Sequence, residues 1–158
     1  MSDRYEPASD FLKAIIAEEV PLSGSWMADK NMKQLIAMVS DADRSNRDWA
    51  TMLLAQEDAD TPEVRAALLK ATDDEDNVVR AEALLGIARR DPQLALPLAV
   101  AALSGDQACM AVFEAAEIIA DPTLVAFLEP WIEPSEDPWL DELAMDAMKA
   151  CERARPTS

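Results

Sequence analysis

Carboxylates supply most of the chemistry this chain could do: 31 Asp and Glu stand against 14 Lys and Arg, with no histidine anywhere. Two acidic runs are dense enough to suggest a cation site, Asp73-Asp74-Glu75-Asp76 and Asp41-Ala42-Asp43-Arg44-Ser45. Hard oxygen ligands of this kind suit calcium, and the second run opens like a calcium loop. The pattern then fails, because Asn46 stands where the turn glycine belongs and Met52 where a bidentate glutamate is required. Both runs are therefore read as solvated turns whose charge favours the positive end of the following helix, and no metal is expected.

Nucleophilic and acid–base chemistry find little support. Without histidine the usual general base at neutral pH is missing. Cys109 and Cys151 have no CxxC spacing and no sequence neighbour that would activate a thiolate, so they are read as reduced structural thiols. Paired carboxylates are uninformative in so acidic a chain. No catalytic residue, cofactor or enzymatic activity is assigned.

A formal charge of −17 on 158 residues narrows the choice of partner. Phosphate backbones and anionic membrane surfaces are gripped by clustered Lys and Arg, which this field excludes. No apolar run approaches the roughly 18 residues of a membrane span, and Met1-Ser2-Asp3-Arg4-Tyr5-Glu6-Pro7 does not read as an export signal. The expectation is a cytoplasmic protein with a protein partner, no nucleic acid and no membrane, its oligomeric state open.

The elements that must position these charges are helices. Half the residues are hydrophobic, only 3 are glycine, and Ala, Leu, Met and Glu abound. The segment Asn46-Arg47-Asp48-Trp49-Ala50-Thr51-Met52-Leu53-Leu54-Ala55 returns as Val79-Arg80-Ala81-Glu82-Ala83-Leu84-Leu85-Gly86-Ile87-Ala88. A period of this length marks stacked helix pairs that bury one continuous core. Thr61-Pro62, Asp91-Pro92, Asp121-Pro122 and Asp137-Pro138 each combine a capping side chain with proline at the first helical position. The pairs expected are 30–40 with 46–56, 62–71 with 78–89, 92–103 with 107–120, and 123–131 with 139–153. Residues 1–30 form a short helix after Ser9 or Asp10 that covers the end of the core or serves as a docking arm, residues 31–133 the repeats, and residues 134–158 a capping helix and frayed tail, in one domain. Trp139 is read as closing the core.

The run from Val79 to Leu98, including the internal Pro97, resembles the HEAT repeat family, in particular its bacterial branch of the phycobilin lyase type. The resemblance covers residues 62–128 well and 31–150 loosely. It implies an all-α, right-handed α-solenoid of about four HEAT-like helical hairpins with an N-terminal capping helix. It also implies a ladder in which a turn aspartate pairs with the arginine six positions on, Asp41 with Arg47 and Asp74 with Arg80. Val112 and Leu143 stand at the arginine position in the later units, so the ladder stops there.

Aligning the second helices places Trp49, Glu82, Glu114 and Glu142 in one column and Met52, Leu85, Glu117 and Met145 in the next. Ala50, Ala83, Ala115 and Leu143, with Leu54, Ile87, Ile119 and Ala147, then fall in the core. The outer columns mix charge that steers with apolar groups that anchor, as a groove for a basic protein or peptide requires. The function expected is a non-enzymatic protein–protein interaction module. The alternatives are an acidic inhibitor or immunity-type protein that blocks a basic nuclease or DNA-binding partner, and a subunit of a lyase complex.

Overall fold

The computed structural model describes residues 5–154, so the expected tail Arg155-Pro156-Thr157-Ser158 lies outside the described residues. The fold is all-α, with α1 Asp10–Ile16, α2 Trp26–Met38, α3 Arg44–Gln56, α4 Pro62–Ala71, α5 Asn77–Arg90, α6 Pro92–Leu103, α7 Met110–Ile119, α8 Val125–Leu128 and α9 Pro138–Arg153. None of the described helices is long and apolar enough to cross a membrane.

Helix starts follow local side-chain chemistry. Ser9, Ser25, Asp43, Thr61, Asp76, Asp91 and Asp137 each accept a hydrogen bond from a first-turn N–H of the helix they precede. These caps satisfy donors that the helix itself leaves orphaned. In α7 the device is lost. Cys109 stands at the cap without a side-chain hydrogen bond to the backbone, and the helix begins at Met110 rather than at Gln107 as expected. The segment expected as one helix over 123–131 is also broken, into a 3-10 turn Pro122–Leu124, the single turn of α8, and a second 3-10 turn Glu129–Trp131. Pro130 has no N–H to continue the ladder.

Packing runs in a row. Helix α3 lies against α5, α5 against α7 and α7 against α9, while α2, α4, α6 and α8 each pack on the second helix of their own pair. The seam between second helices is filled by Ala50, Leu54, Ala83, Ile87, Ala115 and Ala147, all fully buried; Leu143 and Ile119 are partly buried against it. α1 packs on α3 and buries Leu12 and Ile15.

Gly86 shows how close the row is. A Cβ there would lie 2.9 Å from the Cβ of Ala55 and 3.1 Å from the Cδ1 of Leu68. Overpacking of this kind costs about 1–3 kcal/mol, against about 1 kcal/mol gained in helix propensity. Gly86→Ala is therefore expected to lower the melting temperature by a few degrees despite alanine being the better helix former. An unchanged or higher value in a thermal melt would show that α3 and α5 can separate freely.

Two strings of polar contacts tie the pairs together. The Arg47 guanidinium donates to the backbone oxygens of Asp41 and Ala42 in its own turn, each at 3.2 Å, and its Nε to the Asp74 carboxylate of the next turn at 3.0 Å. The expected in-unit partners meet through the aspartates' backbone oxygens rather than their carboxylates. The Asp41 carboxylate accepts from Asn46 Nδ2 and the Asp43 N–H, and among the described residues Arg80 meets only the backbone oxygen of Asp74, at 2.7 Å. An arginine six positions on fits its own turn's carbonyl, and its outward edge is left for the next unit's carboxylate. The second string is Arg90, which donates to the carbonyls of Leu54, Ala55, Glu57, Ala59 and Gly86 and so closes the C-terminal end of α3.

Candidate interaction face

Positions 110, 114, 117 and 118 fall on one stripe of α7, and 138, 139, 142, 145, 146 and 149 on the matching stripe of α9, because helix neighbours recur every three or four residues. Both stripes point away from the buried positions of their helices. Met110, Glu117 and Ile118 are exposed and Glu114 is partly exposed; on α9, Trp139, Glu142 and Lys149 are exposed, and Met145 and Asp146 partly so. Trp139 retains 67% of its accessible surface. The expectation that it closes the core is thus corrected: its place after Asp137-Pro138 lies at the helix start, beyond the reach of Ala144, Ala147 and Met148, which fill that part of the core.

The α3–α5 half of the same face is different. Leu85, expected on display, is buried within the core cluster. Met52 is partly exposed. Trp49 is half-covered by the chain's own start: the Tyr5 and Trp49 rings stack with centroids 5.9 Å apart. Pro7 is fully buried, and the N–H groups of Ala8 and Ser9 bond to Ser45 Oγ and Asn46 Oδ1. Burial, with hydrogen bonding to Asp48, pushes the Tyr5 phenol up to about 12.

Between the two halves lies Glu82. It forms no ion pair among the described residues, and burial, followed by the charges of Asp48 and Glu114, pushes its carboxyl up to about 7. Arg89 offsets this only in part. Burial likewise raises Asp48. Carboxylates from α3, α5 and α7 thus meet on one surface with too few cations of their own. Such an arrangement stores repulsion that an incoming cation relieves.

Sequence reasoning placed Glu82, Glu114, Glu117 and Glu142 on this face but missed Asp48, Met110, Ile118 and Trp139. The i, i+4, i+8 spacing of Met110, Glu114 and Ile118 was the available signal. Burial pushes both thiols up, away from thiolate character. Among the described residues no three His, Cys, Asp or Glu side chains are grouped to hold a metal ion.

No family model matches this sequence. No curated protein matches it either. Among solved structures, the chain is similar to the X-ray structure of YibA from Escherichia coli, with a TM-score of 0.63 and 20% sequence identity, over 90% of this chain and 55% of that one. The chain thus spans about half the length of that protein, and the likeness is one of fold.

Proposed function

We propose that this chain is a protein-interaction module of the HEAT-like solenoid type, which binds a basic, amphipathic protein segment across the second-helix face. The observation that carries the reading is the α7–α9 surface, where exposed Met110, Ile118 and Trp139 are interleaved with Glu114, Glu117 and Glu142. Apolar groups of this kind anchor an interface, and the surrounding acids select a cationic partner and speed its approach. The unpaired Glu82 adds a place for a lysine or arginine at the centre of the face.

The test is a titration with a helical peptide carrying lysines along one edge and leucines along the other, followed by isothermal titration calorimetry. Glu114→Lys, Glu117→Lys and Glu142→Lys together are expected to weaken binding by at least about tenfold, with circular dichroism unchanged. Trp139→Ala is expected to weaken it by a similar factor. Equal affinity for a peptide with the same charge and no leucines would remove the apolar part of the reading, and retained affinity in the triple variant would remove all of it.

A second reading is supported by the net charge of −17 alone: an acidic inhibitor that occupies the basic site of a nuclease or DNA-binding protein. It predicts binding that collapses with salt and is indifferent to Trp139.

A further inference from the structure

On the turn edge of the row, away from the second-helix face, a cavity of about 480 Å³ opens between α5, α6 and α7. Its floor is apolar, formed by Leu84, Leu98, Ala102 and Val112, and Arg80 stands in its wall. The preceding repeat shows what belongs beside such an arginine. There Arg47 uses Nη1 for the carbonyls of its own turn and Nε and Nη2 for the two oxygens of Asp74, at 3.0 and 3.5 Å. Arg80 makes the same bond to its own turn, from Nη1 to the Asp74 backbone oxygen, yet its guanidinium reaches no carboxylate among the described residues.

The cause lies in the third turn. Asp41 and Asp74 are each held in place by accepting the N–H of an aspartate two residues on, Asp43 and Asp76, which in turn caps the next helix. In the third turn Ala108 follows Asp106 at that distance and has no side chain to cap with, the cap falls one residue later on Cys109 without a side-chain hydrogen bond, and Asp106 is exposed at the mouth of the cavity without reaching Arg80. An unfilled carboxylate position therefore adjoins an apolar hollow.

From this we propose that the cavity binds an apolar molecule bearing a terminal carboxylate, its acid on the outward edge of Arg80 and its body over Leu84, Leu98 and Val112. A volume of this size suits a small ligand. An Arg–carboxylate pair is bidentate and stronger than a neutral hydrogen bond. Arg80, Asp73 and Asp106 are all exposed at the rim, so water screens the attraction and the repulsion alike and the apolar floor supplies most of the affinity. A free medium-chain acid and the C-terminus of a peptide ending in leucine present the same chemistry.

The probes are decanoate and neutral decanamide, with a short peptide ending in leucine as free acid and as amide, titrated into the isotopically labelled chain and followed by NMR. Decanoate or the free-acid peptide is expected to shift the signals of Leu84, Leu98 and Val112 and to bind about two- to fivefold more tightly than its amide. Whichever acid binds better identifies the source. Arg80→Met is expected to erase the difference between acid and amide. Ala108→Asp, which restores the turn of the earlier repeats and brings Asp106 to Arg80, is expected to abolish acid binding in a chain that melts no lower. Absence of shifts at the cavity, equal binding of acid and amide, or an Arg80→Met chain that still prefers the acid each overturns the proposal.

Discussion

Glu82→Gln is expected to stabilise the protein at pH 8 and to leave it unchanged at pH 4. The Glu82 carboxyl stands at about 7 in the folded chain against an ordinary value of 4.5, chiefly because α5 lifts it out of water between Asp48 and Glu114. A carboxyl raised on folding favours its neutral form in the native state. Below pH 4.5 it is protonated in both states and costs nothing. As pH rises from 4.5 to about 7 the unfolded chain ionises first, so native stability falls; above 7 the loss is complete. The full shift corresponds to about 3 kcal/mol, which partial exposure to solvent reduces to about 1–2 kcal/mol. A neutral amide of the same shape escapes that cost. The melting temperature of the variant at pH 8 should exceed that of the parent by about 2–8 °C, and the two should coincide at pH 4. Equal melting at both pH values would show that Glu82 is better solvated than its position indicates. Because the same charge is the one a cationic partner would neutralise, the variant should also bind the basic peptide less well at pH 8.

Arg90→Met is expected to have the larger effect, in the opposite direction. Its guanidinium donates to five carbonyl oxygens, four of them at the C-terminal end of α3 and the start of the connection to α4, and one on its own helix. Leu54 O also takes the Glu57 N–H and Ala55 O also takes Arg89 Nη1, so the carbonyls that depend on Arg90 are those of Glu57 and Ala59, both half-buried. Methionine retains the apolar stem and removes every donor. Leaving these two half-buried carbonyls unpaired costs about 2–4 kcal/mol, a fall of roughly 4–16 °C in melting temperature for a chain of this size. Arg90→Lys should fall between, since a single ammonium cannot span acceptors on both helices. A loss under about 2 °C for the methionine variant would mean that solvent already satisfies these oxygens.

Much of the architecture was legible because its signals are local. Thr61-Pro62, Asp91-Pro92 and Asp137-Pro138 announce helix starts by chemistry confined to a few residues, and each begins a helix where expected. The core columns through Ala83 and Ile87 were legible for a similar reason: one face of a repeating helix must be apolar throughout. What escaped depends on neighbours distant in the chain. Leu85 has the spacing of a surface residue, but it packs into the core cluster, a tertiary contact that periodicity does not count. Arg90 looks like an ordinary basic residue near a helix C-terminus, and only the fold brings the end of α3 beneath it. Tyr5 carries no signal of its own that it will lie on Trp49. The start of α7 differs from the expectation because Asp106 resembles the earlier turn aspartates, while the cap falls on Cys109, whose side chain makes no hydrogen bond to the backbone.

The row of second helices, each touching only the one before and the one after, makes this molecule behave as a chain of links rather than as a single knot. Helix α5 is clasped from both sides, whereas α9 has one such neighbour and α3 relies on a seven-residue helix and an extended strap for its other flank. Thermal fluctuations therefore work inward from the margins. Amide protons should exchange with deuterium soonest at the two extremities and latest in the middle of α5.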